Sequence, residues 1–221
     1  MAEPGGARAR EVETPYGTAR VLTWPATGRS YGDLLLMHGA NGKLDSADLV
    51  RLVTDLPDQG VTTRLLQQPF AVAGKRIGPR PAALDTVVDE VVADLSLEGP
   101  LVLGGRSAGA RCAVRRAGPL GAVAALALAF PLHPPERPEK SRADELLGCT
   151  VPTLVVQGER DPFGGPGELP ELPAGQEVVP VPGADHGFAV LKSWDGPDHL
   201  ALLSTAVAEW LGRMLSRADG E

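Results

Sequence analysis

Cysteine is nearly absent from this chain: 221 residues hold only Cys112 and Cys149. Neither falls in a Cys-x-x-Cys, and no Cys/His cluster has zinc-ligand spacing, so no metal site is expected. Both read as small buried hydrophobes, Cys112 inside an apolar helix and Cys149 just before a strand. Aromatics make up only 4% of the chain, so the core must be aliphatic. Basic residues are outnumbered, 21 Lys and Arg against 28 Asp and Glu, for a net charge of −7. That excludes the basic face a nucleic-acid binder needs to displace counterions, and it disfavours docking on an anionic membrane. The longest apolar run, Gly121 to Phe130, is far too short to span a bilayer. Met1 to Arg10 has no apolar stretch of the kind a signal peptide needs. The expectation is a soluble, cytoplasmic protein with no nucleic-acid or membrane partner.

What is present is an ordinary globular composition, 43% hydrophobic and 22% charged. The length suits one large domain that buries its core without staples. Strand and helix patterns alternate along it. Apolar strand-like runs occur at Ala19–Trp24 (an early edge strand), Asp33–Met37, Val61–Leu66, Leu101–Leu103, Val123–Phe130, Thr153–Gln157 and Glu177–Val181. Helical periodicity occurs over Asp45–Leu56, Ala82–Leu97, Ala108–Ala117 and Leu200–Leu215. In the second of these Leu84, Val87, Val88, Val91, Val92 and Leu95 share a face, and Asp85, Asp89, Glu90 and Asp94 fill the wet one. Strands apolar on both faces and alternating with helices imply an α/β fold: a doubly wound, mostly parallel sheet covered on both sides. Residues 1–15 read as a disordered tail and residues 16–221 as a single domain.

The most informative segment is Leu101-Val102-Leu103-Gly104-Gly105-Arg106-Ser107-Ala108-Gly109-Ala110. A serine nucleophile at a very tight strand-to-helix turn needs small residues two before and two after it. Gly105 and Gly109 meet that need. The alternative is a serine that merely caps a helix.

A serine nucleophile requires a base and an acid to orient it, each on a loop after a later strand. Three histidines follow Ser107: His133, His186 and His199. His186 lies in Pro182-Gly183-Ala184-Asp185-His186-Gly187-Phe188, directly after the last strand, and is the expected base. The acid is expected in Gly158-Glu159-Arg160-Asp161-Pro162-Phe163-Gly164. Asp161 is the choice there, with Glu159 and Asp185 as alternatives. The oxyanion hole needs two backbone N–H groups. Ala108 should supply one, and Ala40, in the loop His38-Gly39-Ala40-Asn41-Gly42, the other. The expected job of His38 is structural, bonding its ring to loop backbone. Arg106 either binds an anionic group of the substrate or pairs with an acid to hold a loop. His133 either lines the pocket or packs on Pro134 and Pro135. The loops thus offer His38, Asn41, Arg106, His133, Phe163 and Phe188 as pocket candidates.

Taken in order, His38-Gly39, Gly105-x-Ser107-x-Gly109, Asp161 and His186 resemble the α/β-hydrolase superfamily over nearly the whole chain. Gly104-Gly105-Arg106-Ser107, Pro131-Leu132-His133-Pro134-Pro135, Gly158-x-x-Asp161-Pro162-Phe163-Gly164 and Asp185-His186 resemble its small dienelactone-hydrolase-like group, of the KANL/Tex type. The resemblance implies six to eight strands with no large lid. Dienelactone hydrolases proper use a cysteine nucleophile. The residue here is Ser107, and Cys112 is more than a helical turn away, so dienelactone chemistry is not expected. The reading is a serine hydrolase of small carboxylic esters or thioesters that needs no metal or organic cofactor. The alternatives are a non-catalytic interaction module on the same fold, since the group includes a hydrolase-like domain in a eukaryotic histone acetyltransferase complex, or a hydrolase of peptide or C–C bonds.

Overall fold

The structure, a computed structural model, describes residues 6–97 and 99–218. Its strands are β1 (Arg8–Thr14), β2 (Gly17–Trp24), β3 (Gly32–Met37), β4 (Val61–Gln67), β5 (Leu101–Arg106), β6 (Ala124–Leu128), β7 (Thr153–Gly158) and β8 (Gln176–Val181). Its helices are α1 (Ala47–Asp55), α2 (Pro69–Val72), α3 (Pro81–Asp94), α4 (Ala108–Arg116), α5 (Ala143–Leu147) and α6 (His199–Ala218). The eight strands form one sheet in the order β1-β2-β4-β3-β5-β6-β7-β8. From β4 to β8 all pairings are parallel, and β2 and β1 join antiparallel at one end. This is the doubly wound, mostly parallel sheet expected from the sequence.

Two expectations are corrected at the first edge. Residues 8–14, expected in a disordered tail, form β1, and β2 is therefore not the edge strand. A hairpin turn at Gly17, where φ is +106°, folds β1 back on β2. Only Val12 of β1 is buried, so the strand is held by backbone pairing rather than by an apolar face. Residues 1–5 of that expected tail lie outside the described residues.

Alternation along the strands divides the core. Leu34 and Leu36 of β3 point to the side covered by α1 and α6, with Leu49, Leu52, Val207 and Trp210. Leu35 and Met37 point to the side covered by α3 and α4, with Val87, Val88, Val91 and Ala113. Both faces are apolar because both are covered. Asp85 and Asp89, expected on a wet face, instead pair at 2.7 Å with Arg115 and Arg116 across the α3–α4 contact. The chain runs from β3 to β4 on one side, then returns past β3 to β5 and continues outward. Winding therefore reverses between β3 and β5, and an open α/β sheet forms its ligand crevice at the carboxyl ends of such strands.

Candidate active site

At the carboxyl end of β5 a single residue, Ser107, separates strand from helix. Its backbone sits at φ 54° and ψ −111°, a conformation that costs about 1–3 kcal/mol and persists only where the surroundings enforce it. The glycines do so by allowing close approach. A Cβ on Gly105 would lie 2.4 Å from the Gly109 carbonyl carbon, and one on Gly109 would lie 2.4 Å from the Met37 oxygen. The start of α4 is thereby pressed against the end of β3. The Ser107 N–H donates to the Leu128 carbonyl at 2.9 Å. Its side chain makes no cap hydrogen bond to α4, so the helix-cap alternative does not hold.

The Ser107 Oγ lies 2.9 Å from His186 Nε2, and His186 Nδ1 lies 2.8 Å from Asp161 Oδ2. These three residues are far apart in sequence and meet on the loops after β5, β7 and β8. The Asp161 side chain is fully buried. Its Oδ1 accepts the Phe163 N–H at 2.8 Å, and its Oδ2 also lies 2.9 Å from Gln157 Nε2. Gln157 was not legible as a site residue: it points inward from β7 like any core position of that strand. The other two acid candidates have different tasks. The Asp185 Oδ1 accepts the N–H groups of Gly187 and Ala189 at 2.8 and 2.9 Å, shaping the turn that carries His186. The Glu159 carboxylate accepts the Gly183 N–H at 3.0 Å. Gly158 lets the acid loop approach the histidine loop, because a Cβ there would lie 2.5 Å from the Ala184 oxygen. Phe163 covers His186, with ring centroids 4.3 Å apart.

A sequence family described as "Alpha/beta hydrolase domain" matches residues 30–214. The chain belongs to the α/β-hydrolase family. Solved structures agree on the fold. An α/β serine hydrolase without a lid from Xanthomonas campestris is 16% identical, with a TM-score of 0.71 over 96% of this chain and 97% of that one. Est1E from Butyrivibrio proteoclasticus, solved with ferulic acid bound, is 16% identical, with a TM-score of 0.73 over 94% and 99%. A dienelactone hydrolase from Anabaena variabilis is 18% identical, with a TM-score of 0.71 over 95% and 98%.

The loop after β3 of this α/β hydrolase is a turn closed by the Gly42 N–H donating to the Gly39 carbonyl at 3.1 Å, with Ala40 and Asn41 at its tip. Ala40 and Ala108 border one cavity of about 380 Å³ beside Ser107. This is within the usual size of a small-molecule site. His38 is buried; its Nδ1 donates to the Gly39 carbonyl at 2.7 Å and its Nε2 accepts the Gln68 N–H at 3.1 Å. Burial holds its imidazole below the usual range, and it braces the loop, as expected.

The remaining pocket candidates divide. Phe163 stands at the site, whereas Phe188 is 1% exposed and belongs to the core under α6, so its assignment to the pocket is corrected. It follows the histidine turn at φ 54° and faces inward. The Asn41 side chain accepts the Lys43 N–H at 3.1 Å and holds its own turn rather than lining the cavity. Arg106 is directed away from the cavity. Its Nε lies 3.1 Å from the fully buried Asp48 carboxylate, and its Nη2 donates to the His186 carbonyl at 2.7 Å. This is the loop-holding alternative. His133 is likewise behind the site, with Nδ1 2.9 Å from the Pro134 carbonyl and Nε2 3.2 Å from Glu168. Its own N–H donates to the Phe163 carbonyl at 3.0 Å, so it braces the acid loop. Among the described residues no cluster of His, Cys, Asp and Glu is arranged to hold a metal, and no helix is long and apolar enough to cross a membrane.

Proposed function

We propose that this protein is a serine hydrolase of carboxylic esters or thioesters. The observation that carries the reading is the continuous hydrogen-bonded line from a strained Ser107 through His186 to a buried Asp161. Such a line suits acyl transfer because each member does what the others cannot. Ser107 Oγ attacks the carbonyl carbon and its proton passes to His186 Nε2. Asp161 holds the proton on Nδ1, fixing the tautomer and balancing the imidazolium charge. The N–H groups of Ala40 and Ala108 receive the oxyanion. Collapse breaks the bond to the leaving oxygen or sulfur, which takes the proton from His186. A water then repeats the sequence on the acyl-enzyme, returning Ser107 and releasing the acid.

Other features support the assignment. The amino end of α4 points at the developing negative charge and stabilises it. Phe163 shields one face of His186. The relatives of like fold include proteins described as a serine hydrolase and as an esterase domain. The test is hydrolysis of short p-nitrophenyl esters by wild type and Ser107→Ala. The substitution should lower kcat by roughly 10³-fold or more, with the fold intact. Full activity in Ser107→Ala would refute the mechanism.

A further inference from the structure

The cavity beside the site is chemically uneven. Met37, Phe70 and Leu84 make an apolar wall, while Arg76, Arg111 and Arg115 supply its only charged groups, with no carboxylate among the lining residues. This concentration of cations occurs in a chain of net charge −7. Two of the arginines are neutralised from behind. Arg115 is 2.7 Å from Asp85 and 2.8 Å from Glu145, and Arg111 binds Glu145 as well. Arg76 is different: it is exposed on the loop between α2 and α3, and none of the ion pairs among the described residues involves it. Three cations against two carboxylates leave one positive charge at the cavity rim.

Which part of an ester enters this cavity follows from the chemistry. The leaving group must take its proton from His186, so it departs on the His186 side. Neither Ser107 nor His186 lines the cavity, which is bordered by Ala40 and Ala108, the two residues that the acyl-transfer reading assigns to the carbonyl oxygen. The group facing the cavity is therefore the one carried on the acyl carbon. A volume of about 380 Å³ holds roughly a dozen water-sized groups at about 30 Å³ each.

We propose that this cavity is the acyl pocket and that Arg76 selects acyl chains ending in a carboxylate, so that the substrate class is a monoester or monothioester of a dicarboxylic acid. The inference rests on the acyl-transfer reading above. The apolar wall accommodates the methylene body, and the rim guanidinium meets the distal carboxylate, a pairing for which its planar donors are suited. Hydrolysis adds one water across the acyl bond and releases the dicarboxylate, the alcohol or thiol, and a proton.

The test compares kcat/KM for p-nitrophenyl hemiadipate and for the same compound with its distal carboxylate capped as a methyl ester. Wild type should prefer the free carboxylate by about tenfold at low salt. The preference should shrink at about 0.5 M salt, where exposed charges are screened within a few ångströms. Arg76→Gln should reduce the ratio about fivefold and Arg76→Glu should abolish or invert it, as one exposed charge-pair contact allows. A wild-type ratio of one, or a ratio unchanged in Arg76→Glu, overturns the inference. Fluorophosphonate labelling of the same preparations separates the two claims. A labelled Ser107 without preference for the free carboxylate removes only the acyl-pocket assignment, whereas an unlabelled Ser107 removes the hydrolase reading and this inference with it.

Discussion

Arg106→Met should destabilise the protein in a pH-dependent way and slow it for a separate reason. Arg106 is 11% exposed at its side chain and faces the fully buried Asp48, with Nε 3.1 Å from Oδ2. Burial pushes the Asp48 carboxyl above its usual range, and Arg106 is the principal group pulling it back. Methionine keeps the apolar stem but leaves the carboxylate without its cation. Breaking a buried pair from one side costs about 3–5 kcal/mol. At about 2–4 °C per kcal/mol for a chain of this size, Tm should fall by about 6–20 °C. The sign with pH follows from the raised Asp48. Above the ordinary carboxylate range the native state holds a proton that the unfolded state has released, so stability falls as pH rises through the folded value. Removing Arg106 raises that value further. The deficit of Arg106→Met should therefore be small near about pH 5 and largest near about pH 8. Adding Asp48→Leu should recover most of the stability, because an apolar pair can replace a buried ionic one. It should not recover kcat, because the His186 carbonyl still lacks the Nη2 donor now 2.7 Å away. Urea unfolding at the two pH values, with ester turnover on the same samples, makes the measurement. Equal deficits at both pH values would refute the argument, as would no recovery in the double variant.

Gln157→Leu removes the side-chain amide beside Asp161 Oδ2, which also reaches the Phe130 and Gly164 carbonyls at 3.2 and 2.6 Å. Losing a hydrogen bond to a charged group should lower kcat about 10–100-fold with KM little changed, read by steady-state kinetics. His133→Gln tests the brace behind the acid loop. The Pro134 carbonyl, and after it Glu168, raise the His133 imidazole above its ordinary value. A raised histidine stabilises fully below its unfolded pKa, and the contribution disappears as pH rises through the folded value. Wild type should thus lose an increment of Tm between about pH 6 and pH 8 that His133→Gln does not show.

The residues that meet in the site were readable because each stands in a glycine-containing loop directly after a strand. Gly105 and Gly109 around Ser107 and Gly158 before Asp161 mark places where backbone must pass close to backbone, while Gly183, at φ +66°, lies against the Trp194 ring in the turn before His186. The alternation of strand and helix was equally plain, since β3 and α6 carry their pattern in apolar side chains. What escaped was held by something other than apolar periodicity. The strand β1, Arg-Ala-Arg-Glu-Val-Glu-Thr, buries one valine and reads as a polar tail. The helix α5 is only five residues long, too short for a period to show. Asp48 looks like a solvated residue in a first helical turn, yet it is fully buried because Arg106 reaches it from β5. Phe188 and Asn41 were misplaced in the pocket for a related reason. Loop position in the chain does not encode which way a side chain turns, and that direction here depends on the hydrogen bonds of two turns.

The central claim is that Ser107 is a nucleophile activated by His186. It is tested most directly by reacting the folded protein with a fluorophosphonate and locating the adduct by peptide mass spectrometry. The expected result is one phosphonyl group per chain, on the peptide containing Ser107, absent from Ser107→Ala and from urea-unfolded wild type, and formed far more slowly in His186→Ala. An adduct on another residue, or an unlabelled Ser107 in folded protein, would contradict it.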